Sequence, residues 1–435
     1  MLGLTRYQWL VLTAAWLGWG FDVFDALLFN YVAPNAVPTL LGLTIGSPEA
    51  QRATLYWTGL LTSILLVGWA IGGVLFGVVC DRIGRTRTLV ITMLMYAFGT
   101  AACAFAPSMG WLIACRAIAS LGIGGEWAAG ATMVAETVPE HRRVEAGVIL
   151  QSASPVGLFL ATGVNWLVAG HLLPNDPQLS WRVVLLFGLL PALVAIGIRA
   201  YVAEPERWQR VADKSRVSLL ELFTPERRAV TLAAFLMSLV VLLTWWSCNA
   251  FIPVVASGLA QARALELGLE RSATLALVES WKLQATAWFN LGGLVGGLLL
   301  IPFAKGWGRR PMFAVYLAAC ALAIWFAFGA AAIPEARLVR YFLVGVTVYG
   351  LACAFPFYLP ELFPTRLRAT GAGFCYNVGR LFAAGGPFLV GAIAVQGSAG
   401  VDSALVVLSA VAIVPVVGLL FLPWVVETRG RMLED

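Results

Sequence analysis

The chain has 435 residues, 60% of them hydrophobic and 12% charged, with a formal net charge of +6. Soluble domains average about 25% charged residues, so half that share, with a mean hydropathy of +0.84, excludes a water-soluble globular protein and places the chain in a lipid bilayer. The sequence has no Gly-x-x-x-x-Gly-Lys-Ser/Thr phosphate loop and no metal-ligand spacing. That speaks against an ATP-driven pump, an enzyme or a receptor, and no cofactor or metal is expected.

Seven cysteines lie in or beside apolar runs without a Cys-x-x-Cys pair and read as small buried residues. The first apolar run is long enough to span and lacks a cleavage site, so no removable signal is expected.

A membrane span needs about 20 apolar residues. Twelve are predicted, near 9–32, 55–79, 88–107, 110–134, 145–170, 181–202, 229–254, 281–303, 311–331, 338–359, 369–396 and 403–425. Most are hydrophobic all round, as helices set among lipid and other helices are. The fold class is an all-α, multi-pass membrane protein. With the N-terminus in the cytoplasm, twenty of the 29 Lys and Arg fall on that side and seven on the other. This asymmetry puts both termini in the cytoplasm. The net positive charge is then a topology signal and needs no nucleic-acid partner.

The first span carries Asp22 and Asp25, three residues apart and on one helical face. Ionisable groups inside a bilayer are costly and are functional candidates by default. At 1.5 Å per residue, Asp25 lies roughly 24 Å from the cytoplasmic start of its span, and Arg116 about 8 Å from the outer start of span four. The two share a depth, and Asp22 lies one turn deeper. A moving helix that changed the distances among these charges would load or release a proton; a static pair locking the outer gate is the alternative. Glu126, ten residues after Arg116, follows Gly122, Gly124 and Gly125. It reads either as a packing or gate contact or as a second proton site.

The turn between spans two and three reads Gly77-Val78-Val79-Cys80-Asp81-Arg82-Ile83-Gly84-Arg85-Thr86-Arg87. Gly77 allows close helix approach, Gly84 a tight turn, and Asp81 can pair with basic groups at neighbouring helix ends. The interval 203–228 divides the chain into six spans and six spans. The halves match at an offset of about 225 residues. Glu136, Pro139 and Arg143 align with Glu361, Pro364 and Arg368, Gly84-Arg85 with Gly308-Arg309, and the Glu204 segment with the Glu427 segment. Parallel six-helix repeats imply a transporter, with its site near mid-membrane. The expected domains are an N-terminal bundle at 1–202, a cytoplasmic linker at 203–228 and a C-terminal bundle at 229–435.

Arg380 lies about 17 Å into span eleven, near the midplane. A guanidinium there suits a carboxylate substrate, with Asn377 one turn earlier as a second donor, or else pairs with a protein carboxylate or carbonyls. Weaker pore candidates are Gln151 and Ser152 in span five, Asn249 in span seven, and Gln284, Trp288, Asn290 and Tyr358. The outer segment 257–280 is predicted to form a short exposed helix.

The 77–87 turn resembles the signature loop of the major facilitator superfamily. Asp22-Val23-Phe24-Asp25, with Val23 where that pattern has glycine, resembles the first helix of its proton-coupled organic-acid symporters. The Arg116–Trp127 stretch is similar to their fourth helix, and the segments 361–369 and 376–380 look like the sialate and lactate/pyruvate branch. Aromatic-acid and sugar porters come second. The resemblance implies two six-helix bundles related by a pseudo-two-fold axis, acting as a monomer in the inner membrane. It implies proton-coupled symport of a small organic acid, with facilitated transport or export of sugars, aromatic acids or drugs as the alternative. Asp25 would pair with Arg116. Gly77, Asp81, Arg82, Gly84, Arg85, Glu136, Arg143, Glu361 and Arg368 would form the gate latch.

Overall fold

A computed structural model describes residues 3–45, 47–210, 217–383 and 399–434, and the regular elements among them are all helical. Ten helical stretches among the described residues are long and apolar enough to cross a membrane, with a shorter apolar stretch at Ala404–Leu420. The predicted eleventh span is described only as far as 383; its remainder to 396 lies outside the described residues.

The chain forms two compact units. The first comprises Met1–Thr231, Pro356–Ala384 and Gly430–Asp435. Its helices are α1 (Arg6–Leu41), α2 (Pro48–Ile83), α3 (Arg85–Cys103), α4 (Met109–Thr137), α5 (Arg143–Gln151), α6 (Ala153–Leu167), α7 (Pro177–Leu186), α8 (Leu190–Tyr201) and the short α9 (Glu206–Gln209). The second unit, Leu232–Phe355 and Gly385–Arg429, is built on α10 (Arg228–Glu266), α11 (Arg271–Gly306), α12 (Arg309–Ile324) and α13 (Pro334–Ala352). The chain then returns to the first unit through α14 (Phe355–Glu361), α15 (Arg368–Asn377) and α16 (Gly379–Ala383). The second unit ends with α17 (Ala399–Ala410) and α18 (Ile413–Leu420).

Local chemistry explains the boundaries. Thr5 and Gln8 close a capping box at the start of α1, and Gly42 ends that helix at φ +67. Ser47 caps α2, with Pro48 in its first turn. Span five breaks at Ser152 because Pro155 has no N–H to give to the Gln151 carbonyl. The predicted short helix in 257–280 does not form as a separate element. Its Ala-, Leu- and Glu-rich sequence extends α10 to Glu266, Gly268 turns the chain at φ +64, and α11 starts at Arg271.

Within the first unit, Phe24, Leu28, Leu61, Leu112 and Trp181 join in a buried apolar core. Large apolar side chains also cover the outside, among them Phe98, Trp166 and Leu193, as a lipid-facing surface requires. The interior contacts instead use small residues. A Cβ on Gly124 of α4 would lie 2.6 Å from the Gly73 amide of α2, and one on Gly72 would lie 2.7 Å from the Leu121 carbonyl carbon. In the second unit, α11 and α13 repeat the device: a Cβ on Gly296 would lie 2.7 Å from the Val346 carbonyl carbon.

The repeated turns also share a brace. Gly84 (φ +120) and Gly308 (φ +102) each open a helix whose first amides are held by a distant glutamate. Glu204 accepts from the amides of Arg85, Thr86 and Arg87 at 2.7, 3.1 and 3.0 Å. Glu427 accepts from those of Arg309, Arg310 and Arg429 at 2.9, 3.1 and 2.9 Å.

Two predictions follow from this packing. Gly124→Ala should cost about 1–3 kcal/mol through overpacking at the α2–α4 crossing, read as a lower Tm in detergent. Partial burial pushes the Glu427 carboxyl up, but its three amide donors outweigh that and hold it below the usual carboxylate range. Its stabilisation is present above the unfolded-state value and is lost as pH falls through the folded one. Glu427→Gln should therefore flatten the acid side of the Tm–pH curve.

Candidate functional site

Three clusters of buried polar groups occupy the first unit. The first forms around the signature turn. Asp81 pairs with Arg85 at 2.9 Å and accepts from the Thr370 amide and hydroxyl at 2.8 and 2.7 Å and the Ala369 amide at 3.2 Å. Its charge thus sits at the N-terminus of α15, where helix amides favour an anion. Gly77 permits the approach, since a Cβ there would lie 2.7 Å from the Ala369 carbonyl oxygen. Glu136 lies between two arginines, accepting from Arg85 and from Arg368 at 2.8 Å each. Arg85 also reaches the Thr365 carbonyl at 2.7 Å, and Arg368 those of Pro360 and Glu434 at 3.0 and 2.8 Å. Arg143 pairs with Glu361 at 3.4 Å. Arg82 turns away from this cluster and donates to the Val217 carbonyl at 2.6 Å.

The second cluster ties α1 to α3 and α4. Arg116 meets Asp25 Oδ2 at 3.3 Å and donates to the carbonyls of Asp25 and Ala26 at 2.9 and 2.8 Å. The Thr100 hydroxyl donates to the same carboxylate at 2.8 Å. Side chain and backbone together hold the guanidinium, so this is a clamp on α1 as well as an ion pair.

The third cluster contains Asp22, Glu126, Asn377 and Arg380, all 2% exposed or less. The Asp22 and Glu126 carboxyls lie close enough to feel one another electrostatically, and none of their four oxygens has a hydrogen-bond partner among the described residues. Arg380 lies over the Trp69 ring at 4.2 Å and the Tyr376 ring at 4.7 Å, and it donates to the Asn377 side-chain oxygen. Tyr376 stacks on Trp127 at 3.9 Å, and Trp19 meets Trp69 edge-on at 6.1 Å. Asp22 is near enough to Arg380 to be felt electrostatically, but the two form no ion pair among the described residues.

The remaining candidates do not gather in one place. Gln151 and Tyr358 are buried in the first unit. Ser152 accepts from the Trp16 indole at 3.2 Å and gives its own proton to the Ile149 carbonyl. Asn249, Gln284, Trp288 and Asn290 belong to the second unit. There Gln284 is exposed and donates to Ser280 at 3.0 Å, Trp288 packs edge-on against Phe342, and Asn290 donates to its own helix at the Thr286 carbonyl.

Sequence reasoning missed the aromatic shell, although Trp127 adjoins Glu126 and Tyr376 adjoins Asn377 in the very stretches that drew attention. It also missed the bracing role of Glu204 and Glu427, whose signal was their alignment across the repeat.

Glu136 is the charge on which the signature cluster depends. Glu136→Gln should leave Arg368 without a carboxylate and Arg85 with Asp81 alone, and cost about 3–5 kcal/mol. Thermal unfolding should show a larger loss than for Asp81→Asn, which leaves both arginines paired with Glu136.

The chain matches the Major Facilitator Superfamily over residues 15–374. It is 30% identical to a probable 4-methylmuconolactone transporter of Cupriavidus pinatubonensis, covering 97% of this chain and 91% of that one. It is 27% identical to the niacin transporter NiaP of Acinetobacter baylyi, covering 100% and 97%. It is 26% identical to the sialic acid transporter NanX of Escherichia coli, covering 85% and 83%. Among solved structures it resembles the proton:xylose symporter XylE, with a TM-score of 0.76 and 18% identity over 99% of this chain and 98% of that one. That last likeness speaks for the fold. The chain is a multi-pass membrane protein and a transporter, not an enzyme, and it belongs to the Major Facilitator Superfamily.

Proposed function

We propose that the chain is a secondary transporter that carries a small organic acid together with a proton by alternating access. It would work as a monomer in the cell's inner membrane with both termini cytoplasmic. Its six-helix halves would be 1–202 and 229–435, joined by the linker 203–228. The observation that carries this reading is Arg380. It is a guanidinium 2% exposed, laid across two aromatic faces, with no ion-pair partner among the described residues. A buried cation needs an anion, and the planar fork of arginine fits a carboxylate.

The rings of Trp69, Tyr376 and Trp127 favour a flat, conjugated acid over a small aliphatic one. The names of the muconolactone and niacin transporters support the same choice. A sialate-type sugar acid stands second, supported by the likeness to NanX. The Asp81–Arg85–Glu136–Arg368 cluster and the Arg143–Glu361 pair would hold a gate. Asp25 and Arg116 would hold α1 at the depth where the proton is exchanged.

Uptake into proteoliposomes under an imposed inward proton gradient tests the proposal. The panel is nicotinate, benzoate, 4-methylmuconolactone, sialic acid, lactate and xylose. A flat acid should accumulate, and accumulation should collapse with a protonophore. Gradient-insensitive uptake of every acid would sink the symport reading. Arg380→Lys should raise KM for the accumulated acid about ten- to a hundredfold, the equivalent of one lost bidentate contact. A site for neutral sugar would lose little.

A further inference from the structure

Asp22 of α1 and Glu126 of α4 are both completely buried. Gly18, one turn before Asp22, makes the room: a Cβ there would lie 3.0 Å from the Glu126 carboxyl carbon, and one on Gly130 would lie 3.3 Å from Oε1. Two glycines therefore cradle the Glu126 head group where it meets Asp22. Among the described residues none of the four oxygens of the two carboxyls has a hydrogen-bond partner. Ionised carboxylates only accept, so two neighbouring buried carboxyls with no donor can satisfy one another only by sharing a proton. The charged and titratable groups that face the pair are Asp25 on α1, Tyr96 on α3 and Arg380 on α16. Asp25 is already held by Arg116 and Thr100. The buried Tyr96 hydroxyl has no partner among the described residues. Arg380 is the one cation in this set that no carboxylate holds.

We propose that Asp22 and Glu126 are the proton carrier of this transporter, and that the substrate carboxylate loads them through Arg380. The inference rests on the proton-coupled reading above. A charge count in a low-dielectric site gives the coupling. One proton shared by the pair leaves it at −1, which balances Arg380 at +1. A carboxylate arriving on Arg380 brings the site to −1, and a net charge buried in a bilayer is costly. A second proton, taken from water on the side where the substrate enters, restores neutrality. Asp22 and Glu126 are then both protonated, and Arg380 is paired with the substrate. Release of the acid on the other side returns the cation to the pair and expels that proton there. One proton crosses with each carboxylate. By linkage the proton strengthens acid binding as much as the acid strengthens proton binding.

Proton uptake on binding is the direct test. The purified protein, in weakly buffered detergent with a pH indicator, is titrated with nicotinate or with whichever flat acid the uptake panel accumulates best. The wild type should take up about one proton per acid bound, as this coupling requires, and the neutral amide of the acid should cause no uptake. In Asp22→Asn/Glu126→Gln the ratio should fall to near zero. Each single variant, which keeps one titratable carboxyl, should still couple but over a displaced pH range. An unchanged ratio in the double variant would overturn the proposal and leave Asp25 as the carrier. So would single variants whose pH profile matches the wild type, a readout that stands if the double variant does not fold. Wild-type protein that shows no gradient-driven accumulation would instead remove the symport reading itself.

Discussion

A charge removed from water must find its counter-charge within the protein. That constraint organises the first unit. Its interior holds Asp22, Asp25, Asp81, Arg85, Arg116, Glu126, Glu136, Arg368 and Arg380, while its outside carries leucine, phenylalanine and tryptophan. Each buried charge imposes a geometry on the helices that bear it. Asp81 requires the α15 amides, so α2 must come close enough to α15 for Gly77 to meet Ala369. Arg116 requires the carbonyls of Asp25 and Ala26 as well as a carboxylate, so α1 is fixed against α4.

Glycine is what makes these distances possible. The α2–α4 crossing depends on Gly72 and Gly124, and the α11–α13 crossing on Gly296. Between lipid-exposed helices there is little hydrophobic gain on association, so close backbone contact and paired polar groups supply the specificity. The same economy appears at the turns. A single carboxylate satisfies the first backbone amides of the helix after each glycine: Glu204 holds three, and Glu427 holds two together with the amide of Arg429. The capping also holds the positive-φ glycine in place without any side chain of its own.

Much of this was legible in the sequence, because the bilayer constrains composition so strongly. The apolar runs, the signature turn and the internal repeat each rest on one-dimensional signals. The sharing of depth by Asp25 and Arg116 follows from helical rise alone. What one dimension cannot show is which faces of distant helices meet. Trp127 and Tyr376 are 249 positions apart in the sequence yet stack at 3.9 Å, and nothing in either local pattern indicates the other. Helix ends were legible only where a residue forces them. Pro155 and Gly268 do so, although neither is identified as a break from sequence, and α10 continues through 257–266 across Gly258.

The two acids of α1 end in different chemistry although they are three residues apart. Asp25 is held through Oδ2 by a guanidinium and a threonine hydroxyl, and the same arginine donates to two carbonyls of its helix, which leaves it little freedom. Asp22 meets only another carboxyl, and the nearest cation is held by aromatic faces rather than by an acid. A group paired to a cation and a hydroxyl resists a change of charge, because those partners would be stranded. A group whose one partner is itself an acid can gain or lose a proton and remain hydrogen-bonded as long as one proton is shared. The cation–π contacts complete the contrast. They stabilise Arg380 without neutralising it, so on the proposed reading its full charge would remain for an incoming carboxylate. On the proposed reading Asp25 would fix the helix, and the Asp22–Glu126 pair would be the part of the site that responds to what Arg380 binds.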